Sequence, residues 1–216
     1  MKDEGNDMKT WVRNNFSLAE WLVGGIVTTL AVLAWVFGTG SSGTLSLLKI
    51  FPVFGLVAFG LMWSHYTVGT LRRWSGYERR GKDIYWAVSA GLVLALIILH
   101  PVLLNISLVE AGLGLPTSSY FAAYGNVDGW FVVLGTIALL VFLLFELHRW
   151  FKHKKWWKWI EYAQIVAMTA IFVHGTWLGN ETTNSWYTVV WWGLALTLLF
   201  TWVYNWRYDK AHLPRR

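Results

Sequence analysis

The sequence predicts an all-α membrane protein: a bundle of six transmembrane helices with N- and C-termini both cytoplasmic. Three observations predict it. Apolar residues arrive in blocks of roughly 20, the length that crosses a ~30 Å hydrocarbon core. Charge is scarce, with 14% of the 216 residues charged against 56% hydrophobic, where a soluble domain carries about a quarter charged. Finally, every Lys and Arg except Lys49 falls on one side of a six-span threading, and the positive-inside rule assigns that side to the cytoplasm.

In chain order, residues 1–19 are a polar cytoplasmic segment with Trp11 and Phe16 as interface anchors and no cleavable signal pattern. The membrane domain is expected over 20–206. Span one covers about 20–37 and is followed by the flexible turn GTGSSGT. Span two covers about 45–65, with Pro52 as a possible bend that neighbouring helices tolerate. A charged loop, 71–83, leads into span three, about 84–105. The longest connection, 106–128, is polar, Gly-rich and free of Lys and Arg. Span four is placed at about 129–147, span five at about 159–177 and span six at about 186–205. Residues 207–216 form a cytoplasmic tail. Basic residues cluster in three loops or ends, at Arg72, Arg73, Arg79, Arg80 and Lys82, at Arg149, Lys152, Lys154, Lys155 and Lys158, and at Arg207, Lys210, Arg215 and Arg216.

Composition also excludes several chemistries. There is no Cys, hence no disulfide frame, thiolate metal site or iron–sulfur cluster. The net charge of +6 comes from loops beside spans, so it sets orientation and is no nucleic-acid signal; the partner it implies is membrane lipid. Most of the 17 Trp sit near span ends, as interfacial belts require.

The histidines carry the chemistry. Spans three and five share a plan: a charged entry, an apolar crossing, and a terminal histidine, His100 or His174, followed at once by a helix-ending residue, Pro101 or Gly175. At 1.5 Å per residue both lie roughly 23 Å from the cytoplasmic end. A neutral imidazole gives one nitrogen to a metal while the other N–H is fixed by a nearby acceptor. Two imidazoles at one depth on two helices are therefore candidate axial ligands of a haem iron. Small residues in the same spans (Ala87, Ser89, Ala90, Gly91; Ala163, Ala167, Thr169, Ala170) leave room for a flat macrocycle, although they also serve plain helix packing. The competing reading makes both residues ordinary interfacial histidines.

The stretches ALIILHPVLLNI and WKWIEYAQIVAMTAIFVHG resemble the span-three and span-five segments of the ferric-reductase-like transmembrane domain family. That resemblance implies six spans, haem b, and His100 and His174 as cofactor-binding metal ligands. The two-haem members carry an inner histidine 13 positions before each outer one; Ala87 and Glu161 stand there in this chain. One haem is thus expected. His65 and His148, at the cytoplasmic ends of spans two and four, are candidates for a second, displaced haem.

The resulting expectation is a b-type cytochrome, the haem-bearing membrane component of an oxidoreductase with no catalytic acid, base or nucleophile of its own. It would pass electrons to an acceptor at the outer face of the cell membrane, ferric iron among the candidates. No nucleotide-binding unit is read in the short segment after span six, so the donor is expected to be a separate reductase, a flavin (FAD or FMN) carried by a partner, or a quinol. An oligomer is compatible with the pattern. Two other classes compete: a non-redox membrane scaffold or small transporter subunit, and a cytochrome b561-like quinol oxidoreductase, which needs ligands at two depths and so would enlist His65 and His148. Weaker candidates are Glu20 and Glu161 at span entries, Asn180 as a glycosylation acceptor, and Tyr120, Tyr124 and Trp177 around an outer acceptor site.

Overall fold

The computed structural model describes residues 4–41, 43–44, 46–78, 83–146, 153–154 and 156–212. Among them the regular structure is helical, without strands. The helices are α1 (Glu4–Asn14), α2 (Phe16–Phe37), α3 (Leu47–Ser75), α4 (Ile84–Glu110), α5 (Ser118–Glu146), α6 (Trp157–Leu178), the single turn α7 (Asn180–Thr183) and α8 (Tyr187–His212); a 3-10 turn, Thr39–Ser41, follows α2. Five of these, α2, α3, α4, α5 and α8, are long and apolar enough to cross a membrane, and α6 contributes a shorter apolar stretch, Tyr162–Leu178. This is the make-up of a multi-pass membrane protein.

Local sequence explains several helix ends. Asp83 caps α4, its carboxylate accepting the Trp86 backbone N–H at 2.7 Å, which satisfies one of the donors a helix start leaves open. Gly76 ends α3 at φ 68°, ψ 27°, the left-handed conformation that glycine adopts without a Cβ clash.

Four expected boundaries move. The polar N-terminal segment contains α1. The 106–128 connection is mostly helix: α4 runs to Glu110 and α5 starts at Ser118, with one break at Gly125 (φ 78°, ψ 179°). Glycine supplies that kink, so the Gly-rich composition marks a bend inside a helix. At the C-terminus, α8 continues to His212, well into the expected tail. Pro101 and Gly175 end nothing either: α4 continues nine residues past Pro101 and α6 three past Gly175. Pro removes one N–H from the ladder, and neighbouring helices make that tolerable.

Side-chain contacts fix the helix directions. Pairs His65–Ser89 and His100–Phe51 make α3 and α4 antiparallel. Pairs Phe131–His174 and Asp128–Trp177 do the same for α5 and α6. Trp63 donates to the Leu194 carbonyl and Thr197 Oγ1, both at 2.9 Å, Asn205 donates to Thr70 at 3.0 Å, and Arg73 meets Asp209 at 3.2 Å, so α8 runs parallel to α3. Ala31 and Ala34 of α2, Phe59 of α3, Met168 of α6 and Trp191 of α8 are enclosed at the centre. Large apolar side chains such as Val189, Leu196 and Phe200 point outward, as lipid-facing residues do. The α3–α4 and α5–α6 pairs pack closely within themselves, and the main backbone approach between them is α4 against α5. The space left between the two pairs holds the site.

Candidate functional site

A cavity of about 360 Å³ lies in that space, within the range of small-molecule and cofactor pockets. His100 and His174 both line it. Their ring centroids are 6.4 Å apart and the ring planes lie at 83°. Each ring is anchored through the same atom. Nδ1 of His100 lies 2.8 Å from the Phe51 carbonyl oxygen, and Nδ1 of His174 lies 2.7 Å from the Phe131 carbonyl oxygen. A carbonyl only accepts, so each Nδ1 carries the proton and donates it. That leaves Nε2 of both rings as a bare lone pair, the state in which imidazole ligates a metal.

The spacing suits one ion shared by two imidazoles. An imidazole–metal bond is about 2 Å and the ring centre lies about 1 Å beyond the nitrogen, so two axial imidazoles place their centroids about 6 Å apart. The two imidazoles are nitrogen donors, and the walls are mostly apolar, with Phe59, Ile97, Leu104, Leu139 and Ile171 among the lining residues. Neutral donors on both sides and a mostly hydrocarbon wall fit the flat, mostly apolar face of a haem.

Other predicted residues fall elsewhere. His65 sits between α3 and α4, its Nε2 2.7 Å from Ser89 Oγ and its ring 4.2 Å from that of Trp86. Ser89 Oγ donates to the Tyr85 carbonyl at 2.6 Å, so it accepts from the histidine, and His65 spends its Nε2 proton there. His148 lies outside the described residues, as do Arg79, Arg80, Lys82, Arg149, Lys152, Lys155, Arg215, Arg216 and the side chains of Lys158 and Glu161. Arg73 is engaged by Asp209, by Asn205 at 3.0 Å and by the Tyr208 ring, which assigns it to holding α3 on α8. Lys49 donates to the Thr44 carbonyl at 3.0 Å. Tyr120 and Tyr124 line the cavity with the two histidines. Trp177 stacks on Phe131 at 4.4 Å and donates to Asp128 at 2.8 Å. Asn180 is exposed at the start of α7.

Two features of the site have no signature in the sequence. One is the pair of carbonyls, since a backbone group has no residue-type signature. The other is Glu181, 2% exposed on α7, whose carboxylate accepts from the backbone N–H of Thr39 at 3.0 Å and from its hydroxyl, and which also borders the cavity. Its place in the polar loop LGNETTNS reads as solvent-facing until the loop folds inward.

A scan of family models and searches of curated proteins and of solved structures found no match to this chain. The functional reading therefore rests on the site.

Proposed function

We propose that the chain is a b-type cytochrome, a six-span membrane subunit holding one haem b between His100 and His174. The observation that carries this reading is the imidazole pair itself: two rings on different helices, 6.4 Å apart, both with Nδ1 tied to a backbone carbonyl. When bound, a haem supplies a one-electron couple whose potential follows from its axial ligands, their hydrogen bonds and burial. The chain's residues hold it and insulate it. His100 and His174 present Nε2; Phe51 and Phe131 fix the tautomers and make each imidazole a stronger donor; the apolar wall excludes water.

The second part of the proposal concerns placement. α6 joins the five long helices as a sixth span in the cell membrane; the basic ends of α3 and α8 lie on one side, which the positive-inside rule assigns to the cytoplasm. Lys154, ahead of α6, shares that side. Reducing equivalents come from a separate flavin- or quinol-carrying partner there, and leave at the opposite face to an acceptor such as ferric iron. His65 does not line the cavity of His100 and His174, and Ala87 and Glu161 stand at the inner positions, which favours one haem over two. Absorption spectra of the purified protein and of its His100→Ala and His174→Ala variants test the reading: loss of the low-spin band in both supports it, and retention in either counts against it.

A further inference from the structure

The two imidazole anchors are built alike. On α3 the accepting carbonyl belongs to Phe51, and four residues on is Gly55, in the stretch FPVFG; on α5 it belongs to Phe131, and four residues on is Gly135, in FVVLG. In a helix the side chain at a given position covers the turn on its N-terminal side, so a side chain four residues on would lie over the carbonyl. Both glycines are occupied on that flank by the histidine instead. A Cβ at Gly55 would stand 2.9 Å from Cε1 and 3.0 Å from Nδ1 of His100. A Cβ at Gly135 would stand 2.7 Å from Nδ1 and 2.8 Å from Cε1 of His174. Neither glycine has a positive φ, so neither is required by its backbone conformation. Each is required by the ring resting on it. The same device thus recurs in the two hairpins α3–α4 and α5–α6, which run in the same order and sense.

We propose that Gly55 and Gly135 are positioning residues that set the plane and tautomer of His100 and His174, each by leaving open the face of the helix where the Nδ1–H reaches a carbonyl. The inference rests on the haem reading above. A methyl at either position meets the imidazole closer than atoms approach, and the side chain it meets is pinned by its own hydrogen bond. The ring then withdraws or rotates, the Nδ1–H loses its acceptor, and the ligand becomes a weaker donor.

The test compares wild type, Gly55→Ala and Gly135→Ala with Gly193→Ala as a control, because a Cβ at Gly193 meets nothing within 4 Å. Haem titration and the paramagnetic resonance spectrum of the ferric protein are the readouts. The expected result is a loss of haem affinity of roughly tenfold or more in the first two variants, with an altered low-spin signal, and wild-type behaviour in the control. Unchanged affinity and signal in Gly55→Ala and Gly135→Ala, beside a haem-loaded wild type, overturn the positioning role alone. A wild type that takes up no haem overturns the functional reading and this inference with it. A second measurement needs no overpacked helix. In His174→Gly, added imidazole restores the low-spin signal at a concentration at least about tenfold below that of 1-methylimidazole, which has no N–H to give to Phe131. Equal potency of the two contradicts the role assigned to that hydrogen bond.

Discussion

His100 and His174 are the residues on which the account turns, and their matching depth, with the resemblance of their spans to a haem-binding family, brought them forward. Equal depth on two spans that run the same way is a consequence of helical rise, so it can be read before any packing is known. Their acceptors could not be, because the register between α3 and α4, and between α5 and α6, decides which carbonyl each ring meets. Pro101 misled for a related reason: its helix-ending habit in water is overridden where neighbouring helices supply the packing. The 83° angle between the rings carries a prediction of its own. Perpendicular axial imidazoles leave the two π-type iron orbitals nearly equal in energy, so the ferric protein is expected to give a strongly anisotropic low-spin resonance; an ordinary rhombic signal would mean that the rings are parallel. His65→Ala is expected to leave haem content and that signal unchanged, since the side chain serves Ser89 and Trp86. Loss of a haem in that variant, measured by pyridine haemochrome, would move His65 into the site.

Among the elements, the short α7 does more than its four residues indicate. Glu181 reaches from it to the 3-10 turn after α2, where Thr39 gives it both a backbone and a side-chain donor, while Thr182 closes on the Gly175 and Gly179 carbonyls at 2.6 and 2.7 Å. This links the end of α6 with the end of α2 at the wall of the cavity, which Thr39, Glu181 and Thr182 help to line. Glu181→Ala removes the two hydrogen bonds that the carboxylate accepts from Thr39 and is expected to cost about 1.5–3 kcal/mol, seen as a lower thermal midpoint in detergent; an unchanged midpoint would remove this link from the account. The six apolar segments were legible because a hydrocarbon core demands long apolar runs. The helix on either side of the 111–117 connection was not, since Gly112, Gly114, Pro116 and Gly125 interrupt the apolar pattern, and composition there cannot separate a helix from a loop.

For the molecule as a whole, the proposed orientation rests on segregated charge and on helix directions that agree with it. Because the natural chain has no Cys, single cysteines report sidedness cleanly. Lys154→Cys and Lys210→Cys are expected to react with an impermeant thiol reagent only from the cytoplasmic side, and Thr44→Cys and Asn184→Cys only from the other; mixed labelling would contradict six spans. The central claim is the shared haem, and the most direct test is the reduced-minus-oxidised absorption spectrum of protein purified from haem-replete cells, with pyridine haemochrome stoichiometry. The account predicts a sharp b-type α band at about one haem per chain, lost in both His100→Ala and His174→Ala. A colourless wild type, or a band that survives either substitution, would contradict it.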